Sequence, residues 1–136
     1  MKALFVDTAG WMACADAADA VHKVSCQARD SALERGTLLV TTDYVADETL
    51  TLIRKRLGIR AAESWWEQVE GSSRVRWEWI DVQRADRARN LFFRHRDKDF
   101  SFTDCTSFVV MQELKIRQAL TTDAHFRQMG FHVLPE

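Results

Sequence analysis

The sequence predicts an α/β fold in which a central, mainly parallel sheet is flanked by helices in a three-layer sandwich. Short apolar stretches alternate with segments of helical periodicity along the whole chain, a pattern typical of a parallel sheet covered on both faces. No repeat, linker or low-complexity stretch interrupts this alternation. The chain has 136 residues, enough to bury one core. We therefore expect a single domain over residues 1–136.

The first elements are predicted from a change in periodicity. Residues 2–6 include four successive apolar side chains, as expected for a strand that is buried on both faces. Residues 8–35 are rich in alanine, carry apolar side chains at helical spacing and stop at Gly36, which is a favourable residue just past a helix. The apolar segment 37–41 is the second predicted strand.

Two helices and a strand of a different character follow. Residues 43–57 are expected to form a helix that ends at Gly58, and residues 59–71 form the next helix. At positions 75–79 valine and tryptophan alternate with charged residues. This strand is therefore predicted to have one apolar face and one polar face, and its apolar face needs a cover.

The last third of the chain continues the alternation. Its elements are predicted, in order, as helix 82–96, helix 102–115, strand 118–121, a helix of one or two turns near 125–129, and strand 132–134. A charged loop at 97–99 separates the two long helices.

Composition narrows the class of protein. Nineteen basic residues against twenty acidic ones give a net charge of −1, which excludes a protein that holds nucleic acid by bulk charge but not one with local basic patches. The three cysteines have no CxxC spacing, so neither a disulfide framework nor a zinc site is expected. No apolar run approaches the ~18 residues of a membrane span, and no signal peptide is evident. We expect a cytoplasmic protein.

Four acidic residues carry the strongest signal. Asp7 and Asp123 each follow an apolar strand directly, Asp104 opens an apolar helix, and Glu48 lies one turn into another helix. Residues just past the carboxyl ends of parallel strands converge on one crevice. At ~5 Å and an effective dielectric of about 20, each pair of carboxylates repels by roughly 3 kcal/mol. Four such groups together require a cation, so the pattern predicts a metal site.

Helix capping is the alternative explanation for these acids. Asp7 and Asp123 stand where aspartate caps a helix, and Asp104 follows Ser101 by three residues, as in a capping box. Glu48 lies at the margin of its helix's apolar stripe and has no Lys or Arg three or four residues away, so capping does not account for it. The joint interpretation, a metal site, is favoured.

Four short stretches resemble the PIN domain, a metal-dependent nuclease fold. They are Phe-Val-Asp-Thr-Ala-Gly at 5–10, Asp-Glu-Thr-Leu-Thr-Leu at 47–52, Phe-Ser-Phe-Thr-Asp-Cys-Thr-Ser-Phe at 100–108 and Leu-Thr-Thr-Asp-Ala-His-Phe at 120–126. Their order and spacing span nearly the whole chain. A chain of this length is similar to the VapC class, the toxins of bacterial toxin–antitoxin pairs.

The resemblance implies a set of expectations. It assigns the metal-binding acids to Asp7, Glu48, Asp104 and Asp123. It also implies a Mg²⁺ or Mn²⁺ cofactor, an RNA substrate, a cognate antitoxin protein and a homodimer. Thr8 and Thr103 match small polar residues of the family's motifs. Some members carry a further acid two or three residues past the last aspartate, where this chain has His125 and Phe126, so the number of metal ions stays open.

The expected chemistry is hydrolysis of a phosphodiester bond by metal-activated water. Asp7 is expected as the shared central ligand, Asp104 and Asp123 as further ligands, and Glu48 as an outer ligand or the residue that orients the water. No Ser–His or Cys–His arrangement suggests a covalent intermediate. His125 would contact a metal-bound water or an RNA phosphate, or would simply be a half-exposed histidine.

Basic and aromatic residues offer further candidates for RNA contact. Basic residues gather at one helix end and beside the third acidic motif, where they either bind phosphates or complement helix dipoles: Arg54, Lys55, Arg56 and Arg60, and Arg94, His95, Arg96 and Lys98. Asp99 either reaches the site from its loop or is solvated. Aromatic residues either stack on bases or belong to the core or a dimer interface: Tyr44, Trp65, Trp66, Trp77 and Trp79.

Two other classes of protein compete with the nuclease. A phosphate-accepting receiver module also has an α/β fold with a site at the strand ends, but it needs paired acids after the first strand, and Asp7 stands alone. A catalytically inactive PIN-fold module that binds RNA or a partner would keep the fold without cleavage. The intact set of acids favours the enzyme.

Overall fold

The computed structural model describes residues 2–136 and contains a five-stranded sheet in which every pairing is parallel. The strand order is β3-β2-β1-β4-β5, and helices pack against the sheet on the way from one strand to the next. The predicted α/β sandwich with a mainly parallel central sheet is therefore confirmed. Within the described residues, no helix is both long enough and apolar enough to cross a membrane.

The strands and helices lie close to their predicted positions. The strands are β1 Ala3–Val6, β2 Leu38–Thr42, β3 Val75–Glu78, β4 Gln118–Leu120 and β5 His132–Leu134. The helices are α1 Thr8–Ala15, α2 His22–Glu34, α3 Asp43–Leu57, α4 Ile59–Glu70, α5 Val82–Arg94, α6 Phe102–Leu114 and α7 Ala124–Gln128. Helices α3 and α4 are divided at Gly58, whose φ of 98° lies in the region that favours glycine.

The single long helix predicted over residues 8–35 is wrong, because the chain turns between α1 and α2. The side chain of Asp16 accepts a hydrogen bond from the backbone N–H of Ala18, and that of Asp19 from the N–H of Val21, both at 2.9 Å. Such local bonds offer the backbone an alternative to the helix. The two aspartates, rather than the alanines around them, therefore decide the local structure.

The aromatic ladder on β3 is only partly covered. Trp77 packs edge-on against Trp66 of α4, with ring centroids 5.4 Å apart. Trp79 lies just beyond the strand and stacks on Trp77 at 6.0 Å, yet 64% of it is exposed. The apolar face predicted for positions 75–79 is therefore partly buried at Val75 and Trp77 and open to solvent at Trp79.

The order of the strands creates a crevice beside β1. The chain leaves β1 to build β2 and β3 on one side, and later builds β4 and β5 on the other. Parallel sheets bind ligands at such a reversal, beyond the carboxyl ends of the strands. In the register, Phe5 pairs with Ala119 and Val6 with Leu120, so the residues that follow β1 and β4 lie side by side.

Candidate active site

The four predicted acids line one cleft with a volume of about 390 Å³. Asp7 follows β1 and Asp123 follows the turn after β4, while Glu48 projects from α3 and Asp104 from the first turn of α6. The structure therefore brings together four carboxylates from four separate parts of the chain. Thr8 and Thr103, which match small polar residues of the family's motifs, also line this cleft.

Asp7 is the most deeply buried of these acids, with 5% of its surface exposed. One carboxylate oxygen, Oδ1, caps α1 by accepting the Gly10 N–H at 2.8 Å, and Oδ2 accepts the Thr121 hydroxyl at 2.6 Å. Burial raises the pKa of Asp7 to about 7, although both hydrogen bonds lower it; repulsion from Asp123 and Asp104 raises it further. The capping prediction and the cleft prediction therefore both hold for this residue.

Gly10 allows the close approach that builds this part of the site. A Cβ atom at position 10 would lie 2.1 Å from the carbonyl oxygen of Leu120, a separation that atoms do not adopt. Only glycine lets the first turn of α1 rest against the end of β4. This contact keeps Asp7 within hydrogen-bonding distance of Thr121.

Asp104 belongs to a capping box and to the cleft at the same time. Ser101 and Asp104 exchange hydrogen bonds at the start of α6, with the Asp104 N–H donating to Ser101 Oγ at 2.9 Å and the Ser101 N–H donating to Asp104 Oδ2 at 3.1 Å. Burial raises the pKa of Asp104, and repulsion from Asp123 adds to the rise; the bonds from Ser101 and His125 oppose it.

His125 links the third and fourth acids. Its Nδ1 lies 2.8 Å from Asp104 Oδ2 and 3.1 Å from Asp123 Oδ1. The ring is held edge-on against Phe100, with centroids 5.4 Å apart. One ligand atom from each of Asp104, Asp123 and His125 falls within 4.8 Å of the others, which is compact enough for one metal ion.

Glu48 forms the outer wall of the cleft. It is exposed, and its Oε1 accepts the Thr8 hydroxyl at 2.9 Å. This bond gives the Glu48 carboxylate a partner at the margin of the apolar stripe of α3. Because Thr8 directly follows Asp7 in the sequence, the bond also connects Glu48 to the segment that carries the buried acid.

The remaining candidates separate into those near the cleft and those away from it. Arg56 lines the cleft and Lys55 lines a depression that continues from it. Asp99 is exposed and lies outside the residues that line the cleft, as do the basic residues of the 94–98 segment. Of the two interpretations that the sequence left open for Asp99, the structure therefore favours a solvated loop over a contact with the site.

Thr121 was absent from the sequence prediction. Its hydroxyl donates to Asp7 and also accepts the Asp123 N–H at 2.9 Å, so one side chain ties two of the acids together. A threonine two residues before an aspartate at a strand end is a recognisable local turn pattern. The bond from Thr121 to Asp7 depends on the pairing of β4 with β1, and the sequence alone does not show which strands are neighbours.

The fold and the cleft define a class. The family model of the PIN domain matches residues 4–132, and this chain belongs to the PIN-domain family.

Individual relatives show which members of the PIN-domain family this chain resembles. The chain is 34% identical over 134 residues to proteins named 23S rRNA-specific endonuclease VapC20, from Mycobacterium tuberculosis strains CDC 1551 / Oshkosh and H37Rv; the match covers 98% of this chain and 99% of each relative. The crystal structure of Mycobacterium tuberculosis VapC20, described as a sarcin-ricin loop cleaving toxin, superposes with a TM-score of 0.87 at 33% identity, over 94% of this chain and 95% of that one. The predictions of a PIN-domain nuclease of the VapC type and of endoribonuclease function are confirmed.

Proposed function

We propose that this chain is a toxin endoribonuclease that uses a divalent metal ion, with one nuclease domain over residues 1–136. The observation that supports the proposal most strongly is the convergence of Asp7, Glu48, Asp104 and Asp123 on one cleft at the point where the strand order reverses. Asp7 is a buried aspartate with a pKa raised to about 7, and among residues 2–136 it has no basic partner. A bound cation would stabilise such a carboxylate.

The donor atoms fit a hard divalent cation, Mg²⁺ or Mn²⁺. These ions prefer carboxylate and water oxygens and take one or two carboxylates each. We assign Asp104 and Asp123 as ligands because one oxygen of each lies within the 4.8 Å cluster. We assign Asp7 as the central ligand because it lines the same cleft and lies close enough to Asp123 and Asp104 for their charges to raise its pKa. His125 then holds both neighbouring carboxylates in place, a role that partners of metal ligands usually fill.

Each side chain has a separate task in the proposed mechanism. When bound, the cation supplies a water of lowered pKa and neutralises charge on the phosphate. Thr121 fixes the orientation of the Asp7 carboxylate through its 2.6 Å bond. Glu48, held by Thr8, is positioned at the outer wall to orient the attacking water by accepting a hydrogen bond from it.

The substrate we propose is RNA, and the relatives favour ribosomal RNA. Identity of 34% extends over nearly the whole of a protein named for 23S rRNA cleavage, so we propose a structured loop of ribosomal RNA as the target. The same class implies a cognate antitoxin that neutralises the protein. An RNA target and an antitoxin together give the protein a cytoplasmic place of action.

We also propose a homodimer. Trp79 exposes 64% of its surface although it stacks on the Trp77 ring, and Phe93 on α5 is 58% exposed. Exposed aromatic residues of this size are typical of an interface. Light scattering at micromolar concentration, without antitoxin, should give twice the monomer mass, and a monomer mass would contradict the proposal.

The test of function is RNA cleavage by the purified protein with a matched pair of variants. Total cellular RNA should be cut in Mg²⁺ or Mn²⁺ and left intact in EDTA. Asp104→Asn should remove the activity, whereas Asp99→Asn, which removes an acid from the exposed loop nearby, should leave it unchanged. RNA binding without cleavage by the parent would support the alternative, an inactive binding module. Equal cleavage by the two variants would refute the assigned site.

A further inference from the structure

One basic residue faces the cleft that holds the acids. The cleft is lined by five acidic residues, Asp7, Asp19, Glu48, Asp104 and Asp123, and among the described lining residues Arg56 is the one arginine or lysine. An RNA strand brings further negative charge into this cleft. A cation at the acids offsets repulsion close to the reacting phosphate, but it leaves the rest of the strand unneutralised.

The position of Arg56 follows from the geometry of α3. Val45, Glu48, Leu52 and Arg56 are spaced by three, four and four residues, so they lie on one face of the helix, and all four line the cleft. Eight residues separate Glu48 from Arg56, which corresponds to about 12 Å along the helix. Arg56 therefore lies along α3 at a distance from Glu48 rather than among the acids.

Arg56 is also uncommitted within the protein. The side chain is exposed, and among residues 2–136 it makes no hydrogen bond and no ion pair. Asp19 lines the same cleft but makes its hydrogen bond to the Val21 N–H instead. An arginine at a helix carboxyl end complements the helix dipole, yet Arg54 on the same last turn does so equally without lining the cleft.

A second depression adjoins the cleft on α3. This depression, of about 430 Å³, shares Thr8, Glu48 and Leu52 with the cleft and is also lined by Asp47, Thr51 and Lys55. The cleft and this depression therefore share a wall on α3, and each has one cation in its lining, Arg56 in the cleft and Lys55 in the depression. Such a surface suits a single-stranded polyanion, whose backbone can follow a helix face.

We propose that Arg56 binds a phosphate of the RNA backbone a few nucleotides from the reacting bond and so positions the strand across the acids. The guanidinium donates paired hydrogen bonds to phosphate oxygens. It acts on binding and register and touches no reacting atom, so it is a positioning residue. This inference rests on the proposed function only in taking RNA as the ligand.

The test uses Arg56→Gln with Arg54→Gln as the matched control, since both remove one arginine from the same helix turn. For cleavage in Mg²⁺, Arg56→Gln should raise KM about five- to tenfold with kcat little changed. Arg56→Lys should recover most of the loss because lysine still supplies a point charge. Arg54→Gln should behave as the parent.

Salt dependence of binding separates a phosphate contact from a structural role. Binding of a fluorescent single-stranded RNA of mixed sequence is measured in EDTA, so that no cleavage is needed. The slope of log affinity against log salt should fall by about 0.7 in Arg56→Gln and stay at the parent value in Arg54→Gln. Equal slopes in the two variants would overturn this inference. If the slope depends on Arg56 but the parent protein does not cleave RNA under any condition, the inference about Arg56 stands and the proposed function is overturned.

Discussion

Replacing Asp7 by asparagine should stabilise the metal-free protein while it abolishes RNA cleavage. Burial raises the pKa of Asp7 from 3.8 to about 7. Since one pKa unit corresponds to about 1.4 kcal/mol, keeping this carboxylate ionised in the folded protein costs on the order of 4 kcal/mol. Asparagine carries no charge, and its side-chain oxygen still accepts the Gly10 N–H bond. The Thr121 bond must reverse its direction, which removes about 1–2 kcal/mol of the gain.

The gain has a definite dependence on pH. The pKa of Asp7 is higher in the folded protein, at about 7, than the ordinary value of 3.8. Its contribution to stability is therefore fully present below about pH 4 and is lost as the pH rises through 7. The asparagine variant has no such loss. We expect parent and variant to be nearly equal in stability at pH 5, and the variant to be more stable by about 2–3 kcal/mol at pH 8.

Urea unfolding in EDTA at pH 5 and pH 8 measures this difference directly, with the exposed Asp99→Asn as control. In thermal unfolding at pH 8, the melting temperature of Asp7→Asn should be higher than that of the parent by roughly 8 °C. Addition of Mg²⁺ should then raise the melting temperature of the parent and leave that of the variant unchanged. A variant that is less stable than the parent at pH 8, by an amount that does not change with pH, would refute the reasoning. Capping of α1 would then be the dominant role of Asp7.

Three further predictions concern the metal, the scaffold and the outer wall of the cleft. Cleavage should stop in EDTA and return with Mg²⁺ or Mn²⁺ but only weakly with Ca²⁺, which is larger and less strictly octahedral; undiminished cleavage in EDTA would contradict the mechanism. Gly10→Ala places a Cβ 2.1 Å from the Leu120 carbonyl oxygen, so α1 must move away from β4; urea unfolding should show a loss of at least about 1–3 kcal/mol, and cleavage should fall with it. Glu48→Gln should fold and bind RNA but cleave about 10²–10³-fold more slowly, and its expression without antitoxin should no longer arrest growth; arrest equal to the parent's, without cleavage, would mean that toxicity comes from binding.

Much of the site follows from the sequence because strand ends determine it. The apolar segments before Asp7 and Asp123 identify two strands, and the alternation of strands and helices makes them parallel. From that point the convergence of the two aspartates is a consequence of topology. Asp104 was recognisable through its capping box with Ser101, which the structure contains.

What sequence reasoning missed depends on contacts between distant segments or on competing local bonds. The break between α1 and α2 arises from two aspartates that bond their own backbone, and an alanine-rich composition concealed it. His125 had no local feature that favoured a role in the site. Its bridge between Asp104 and Asp123 appears only when α6 and α7 are packed side by side. The exposed ring of Trp79 shows equally that alternation identifies a face but does not say what covers it.

The bond between Thr121 and Asp7 joins residues 114 positions apart, and this separation has a consequence during synthesis. Strand β1 needs only residues 38–42 to pair with β2, but its other edge has no partner strand until β4 has been made. Until then the cleft lacks Thr121, Asp123 and His125. The set of side chains that lines the cleft is therefore incomplete while most of the chain is being made. We therefore expect a translation product that stops before β4 to lack RNA-cleaving activity, because it has neither Asp123 nor the Thr121 hydroxyl that bonds Asp7.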